Sequence, residues 1–236
     1  MKNAIAVEKL TKTYPGSFTL GEINLTISKG EIIGLIGENG AGKTTFIKSI
    51  LGITNPSSGS IKIFDKDLPT NESEIKENVG VVLDNMFFPE IMNAHDIELS
   101  MQGIFKNWDS YLFHKYINDF NLPENQPLKS LSKGMRKKLE IAVALSHHPK
   151  LLILDEPTSG LDPVVRNEIL DIFLNFIQDE DHTILLSTHI TSDLEHIADE
   201  IIFIDKGEVI LKKNRDELLD NYGIMKCNLD EFSKID

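Results

Sequence analysis

The sequence predicts an α/β fold: a mostly parallel central sheet, an antiparallel β region toward the N-terminus and an inserted α-helical subdomain. Three observations predict it. Nearly continuous apolar runs at Ile32–Ile36, Leu151–Leu154 and Thr183–Leu186 read as strands buried on both faces. Helical stretches separate them, and strands alternating with helices pair in parallel. Between residues 86 and 131 the strand signal stops, and apolar residues recur at helical spacing instead.

Taken in order, Ile23–Ile27 is a short amphipathic strand with Ile23, Leu25 and Ile27 on one face. The buried strand Ile32–Ile36 leads through a Gly-rich turn into a helix from about Lys43 to Leu51. Gly52 and the cluster Asn55-Pro56-Ser57-Ser58-Gly59 end that helix. Ser60–Phe64 alternates and reads as an edge strand, and Val79–Leu83 as a further strand. Ile97, Met101, Ile104 and Phe105, then Leu112, Phe113, Tyr116, Ile117 and Phe120, mark two helices, with Trp108 in their core. Ile201–Ile204, Lys206-Gly207 and Glu208–Leu211 read as a terminal hairpin. Residues 1–14 carry polar residues throughout and form no apolar leader.

A chain of 236 residues with 41% hydrophobic and 26% charged residues can bury a core without disulfides or metals. Its one cysteine, Cys227, reads as an unreactive thiol in a reducing compartment. A net charge of -13 disfavours nucleic acid and anionic lipid as partners. No apolar run reaches the roughly 18 residues of a membrane span, so work at a membrane would need a partner that holds the chain there.

The Gly-rich turn carries chemistry. Gly37-Glu38-Asn39-Gly40-Ala41-Gly42-Lys43-Thr44 satisfies G-x-x-x-x-G-K-[ST], after a buried strand and opening a helix. Glycines let backbone N–H groups turn toward an anion, and the helix N-terminus adds partial positive charge. The class is therefore a phosphate-loop NTPase. Gly37, Asn39, Gly40, Ala41, Gly42, Lys43, Thr44 and Thr45 are candidate contacts to ATP. Lys43 would meet the β- and γ-phosphates, and the Thr44 hydroxyl Mg²⁺. Farther on, a buried strand ends in Asp155-Glu156. Asp155 is a candidate for Mg²⁺ or its water shell, and Glu156 for accepting a proton from the attacking water.

These motifs stand in a larger pattern. Leu131-Ser132-Lys133-Gly134-Met135 is similar to the L-S-G-G-Q signature of the ABC ATPases, and Pro157-Thr158-Ser159-Gly160-Leu161-Asp162 to that family's D-loop. Ser187-Thr188-His189 resembles its switch histidine, and Tyr14 its adenine-stacking aromatic. The resemblance covers nearly the whole chain, and five elements fall in order at the family's spacing. It implies two cassettes facing head to tail, each ATP between one phosphate loop and the other's signature. Ser132, Gly134 and Asp162 would then contact nucleotide across the interface, and His189 the γ-phosphate. Ser132 itself reads as an N-cap that leaves helix N–H groups for that phosphate. The other six histidines read as structural or surface residues.

The chain departs from the family in Lys133 and Met135, and in Asp84, which stands where the family has a glutamine. In that place Asp84 is a candidate for Mg²⁺ or the lytic water; the alternative is an Asp-Asn turn. The resemblance implies an ATPase subunit at the cytoplasmic face of the membrane, held by a membrane-spanning permease chain. A second ATPase subunit, identical or related, would pair with it. Small exporter ATPases with a separate membrane chain are the nearest pattern, with peptide, lipid or drug-like cargo. The alternative is a soluble ABC-type ATPase acting on ribosomes or in another non-transport complex; those usually carry two cassettes per chain, and one set of motifs is present. On this reading residues 1–85 and 132–222 form the ATP-binding core, 86–131 the helical subdomain and 223–236 a C-terminal tail.

Overall fold

The computed structural model describes residues 3–16, 18–84 and 88–223. Cys227 and nearly all of the expected tail lie outside these residues, as does Asn85. Two sheets make up the architecture. The first is antiparallel, in the order β2-β1-β4-β5, with β1 at Asn3–Thr13, β2 at Thr19–Ser28, β4 at Ser58–Ile63 and β5 at Lys66–Asp67. The second has six strands. They are β3 (Ile32–Ile36), β6 (Val79–Val82), β7 (Leu151–Asp155), β8 (Thr183–Ser187), β9 (Glu200–Asp205) and β10 (Glu208–Asn214). Their order is β10-β9-β3-β8-β7-β6, parallel except for the β9–β10 hairpin.

The apolar runs form buried strands because both faces are covered. Leu151 and Ile153 pack with helix α1 (Lys43–Ile50) and the antiparallel sheet, whose Ile5, Leu10, Leu20 and Ile23 share that core. The alternate residues Leu152 and Leu154 face the opposite side, onto α5 (Lys133–Leu145), α6 (Pro163–Phe176) and α7 (Thr191–Ile197). Between them come α2 (Leu68–Lys76), α3 (Ala94–Ile104) and α4 (Ser110–Asp119), and α8 (Arg215–Asn221) follows β10. A capping box between Asn93 and Asp96 starts α3, and Asp109 caps α4. Ile97 and Met101 of α3 meet Phe113 and Ile117 of α4 over Leu139, Ala142 and Val143 of α5. Trp108 packs on this third core, its ring 5.3 Å from that of Phe113.

Three sequence readings need correction, and one strand went unread: Ile5, Val7 and Leu10 are core residues of β1. Their period is broken by a register shift between Val7 and Leu10, where Lys9 has φ 48°, so the alternation does not run through. The strand read at Ser60–Phe64 is not an edge, because the two-residue β5 pairs with Lys62 and Ile63 of β4. Ile104 is 63% exposed rather than part of a buried face. The hairpin is not terminal, since α8 follows it.

Candidate functional site

The parallel register brings three strand ends together: Leu35 of β3 pairs with Ser187 of β8, and Ser187 with Asp155 of β7. In such sheets ligands bind beyond the carboxyl ends of the strands. Here the turn from β3 into α1 stands over Asp155. Gly42 is the N-cap of α1 at φ 113°, and no side chain caps that helix. Its first N–H groups therefore remain available to an anion. Gly37 must lack a side chain for another reason: a Cβ there would lie 2.2 Å from the Ile204 carbonyl oxygen.

Lys43 is 6% exposed and lies folded inside the loop. Its Nζ donates to the carbonyl oxygens of Gly37 at 2.6 Å and Glu38 at 3.3 Å, and lies 4.0 Å from Glu156 Oε1. The Thr44 hydroxyl donates to Asp155 Oδ2 at 2.9 Å, and Ser187 donates to the other oxygen of that carboxylate. Glu156 sits at φ 52°, its backbone N–H on the Ser187 carbonyl at 2.9 Å. This left-handed turn swings its side chain away from Asp155, and Oε2 meets His189 Nδ1 at 2.7 Å.

A cleft of about 380 Å³ lies over the loop. Asn39, Gly40, Gly42, Lys43, Thr44 and Thr45 line its floor, with Glu156 and Asp84 beside them and Tyr14 at its wall. Ala41 is buried beneath, its N–H on the Glu38 carbonyl at 3.1 Å. Asp84 is exposed at the end of β6. The preceding carbonyl, of Leu83, accepts a hydrogen bond from the buried Lys137 Nζ at 2.9 Å, and Lys137 pairs with Glu140 at 2.7 Å. Burial raises the Glu140 pKa, against the lowering effect of Lys137.

Ser132, Gly134 and Asp162 do not line this cleft. Ser132 caps α5 by accepting from the Met135 N–H at 3.2 Å, and Asp162 caps α6 by accepting from Val164 and Val165 at 3.1 Å. The two helix starts adjoin: a Cβ on Gly134 would touch Val165 at 3.2 Å, and one on Gly160 would meet Lys133 Nζ at 2.6 Å. The three residues thus share a second patch. His147 is packed as a core residue, stacked on Phe105 at 4.0 Å, and burial pushes its pKa down.

The ABC transporter family model matches residues 20–159, from β2 through the loop after Glu156. The chain belongs to the ABC transporter family. The lantibiotic transport ATP-binding protein SrtF of Streptococcus pyogenes is 35% identical over 215 residues, covering 90% of this chain and 91% of the relative. The bacitracin transport ATP-binding protein BcrA of Enterococcus faecalis is 32% identical, over 92% of this chain and 71% of that protein. A solved Clostridium perfringens subunit, part of the ABC transporter complex cbiONQ, superposes with a TM-score of 0.77 at 28% identity, over 94% of this chain and 92% of that one. As an ABC transporter ATPase the chain converts ATP and water to ADP and phosphate.

The donor set at the loop fits Mg²⁺. One hydroxyl and one carboxylate that is 1% exposed are oxygen donors, and that ion takes its remaining ligands from phosphates and water. No group of three His, Cys, Asp or Glu among the described residues forms a metal cage of its own. Sequence reasoning passed over Phe18, which faces the cleft near Tyr14, and Lys137, which braces the strand before Asp84. Phe18 lies four residues beyond Tyr14 with no motif around it; Lys137 is one of several basic residues early in α5, and only burial singles it out.

Proposed function

We propose that the chain is the ATP-hydrolysing subunit of a transporter and works as a dimer closed around ATP. The observation that carries this reading is Glu156, held between Lys43 and His189 at the mouth of a phosphate loop. In this reading Glu156 takes a proton from the attacking water, and His189 holds Glu156 and the γ-phosphate in line. Lys43 exchanges its carbonyl partners for phosphate oxygens, and Tyr14 stacks on the base. The residues holding Mg²⁺ would be Thr44 and Asp155, with Asp84 within reach; the bound ion neutralises phosphate charge.

The second patch supports the dimer. Ser132, Gly134 and Asp162 sit apart from the cleft of their own chain, so they reach nucleotide only in another copy or a relative. The division into an ATP-binding core (1–85 and 132–222) and a helical subdomain (86–131) belongs to this reading. So do a separate membrane-spanning chain and a place at the cytoplasmic face of the membrane. No helix among the described residues is long and apolar enough to cross a membrane. Relatives named for lantibiotic and bacitracin transport support export of a peptide cargo.

Recovered from detergent-solubilised membranes, the tagged chain is expected to carry a polytopic membrane chain in stoichiometric amount, with ATPase activity that rises in its presence. Recovery with ribosomes and no membrane chain would overturn the transport reading. Asp84 gives a finer test. Asp84→Gln is expected to change the Mg²⁺ dependence and the partner-stimulated rate while leaving nucleotide affinity nearly intact, and Asp84→Ala to uncouple hydrolysis from transport. Wild-type Mg²⁺ titration and stimulation in both variants would reduce Asp84 to a turn residue.

A further inference from the structure

Asp193 of α7 is a carboxylate with 0% exposure, four residues beyond His189. A buried charge is tolerated only where it is paired and hydrogen-bonded. Both its oxygens are engaged. Oδ2 accepts from Thr158 Oγ1 at 2.6 Å, and Oδ1 accepts from Arg166 Nε in an ion pair. Thr158 is itself 1% exposed, and Arg166 also donates to Ser192 Oγ at 2.6 Å. One carboxylate thus joins the turn after β7, the helix α6 and the helix α7.

That turn is the one that carries Glu156. A non-glycine residue at φ 52° is strained, and such strain persists only where the surroundings over-determine it. Two contacts do so here. On one side the Glu156 N–H is held by the Ser187 carbonyl; on the other, two residues along, Thr158 is clamped to Asp193. Ser187 and Asp193 also bracket His189 in the opposing segment, where Asp193 N–H donates to the Ile190 carbonyl at 3.1 Å. The Glu156–His189 contact therefore lies between two cross-links that join the same two segments.

We infer that Asp193 and Thr158 are positioning residues for ATP hydrolysis: their buried hydrogen bond keeps the Glu156 carboxylate and the His189 imidazole in register. Neither touches substrate, and the inference rests on the reading of Glu156 as the base. The role belongs to the Thr158 hydroxyl rather than its methyl group, which separates positioning from packing.

In Thr158→Val, which keeps the shape and loses the hydroxyl, kcat is expected to fall roughly tenfold to a hundredfold, the cost of a misplaced catalytic group. KM for ATP should stay within about twofold. Thr158→Ser, which keeps the hydroxyl, should restore kcat. A packing role reverses that order, because serine leaves a void and valine does not. Asp193→Asn reads the contact from the other side and covers the case in which Thr158→Val does not fold: with one oxygen replaced by an NH2 group, the side chain can no longer accept from both Thr158 and Arg166, so kcat should fall at constant KM. Wild-type kcat in Thr158→Val or in Asp193→Asn overturns the inference, and so does a Thr158→Ser variant as slow as Thr158→Val. Glu156→Gln is run beside them. Full turnover there removes the base assignment itself, whereas an inactive Glu156→Gln with a fully active Thr158→Val removes only the positioning role.

Discussion

Replacing Glu156 by glutamine is expected to lower ATP turnover about 10²–10⁴-fold. The span equals roughly 3–5 kcal/mol of transition-state stabilisation. Glutamine keeps the length of the side chain and its hydrogen bonding, so the His189 contact and the turn at φ 52° can both survive. What disappears is a group able to take a proton. ATP should still bind, because the loop, the α1 N-terminus and Lys43 are untouched, and a dimer closed around unhydrolysed ATP should become long-lived. The checks are steady-state phosphate release and, with ATP present, sedimentation of the variant. Turnover at the wild-type rate would remove Glu156 from the chemistry and leave its pairing with His189 as a structural contact.

The second large effect is expected at Lys43. Truncation to alanine removes a charged donor to phosphate, a contact of about 1.5–3 kcal/mol, and should weaken ATP binding roughly 10- to 100-fold. The burial of Lys43 adds a consequence that the motif alone does not contain. Its Nζ satisfies the Gly37 and Glu38 carbonyls in the loop's interior, so the variant also leaves those acceptors without their donor. A modest fall in Tm, from a loss of about 1–3 kcal/mol, should accompany the loss of affinity. Nucleotide titration and thermal melting on one preparation separate the two. Unchanged affinity with a lowered Tm would make Lys43 a strut of the loop and nothing more.

Much of this site is legible as sequence because its parts are local. The phosphate loop needs glycines at particular backbone angles and a helix that starts at once, and both requirements fall within eight consecutive residues, Gly37 to Thr44. The buried strands are legible because burial on both faces demands apolar residues without a break, as at Leu151–Leu154. The cap at Ser132 is legible from its place before a helix, and the structure has the hydroxyl on the Met135 N–H. β1 fails this test because a bulge at Lys9 breaks the period on which the reading depends.

By itself, then, the sequence determined most strand and helix types and the phosphate loop, since these follow from short-range sterics and periodicity, and it pointed to the ATPase family through the resemblance of its ordered motifs. Only the tertiary structure decided which distant groups meet. Thr44 reaches Asp155 across 111 positions, and Asp193 reaches Thr158 across 35, because β8 lies between β3 and β7 in the sheet. Strand order is a property of the whole packed core, set by which faces can be covered together, and no local period encodes it. The same holds for Asp193: it is a charge that water would favour, and its burial becomes tolerable only once a hydroxyl and a guanidinium from other segments close around it.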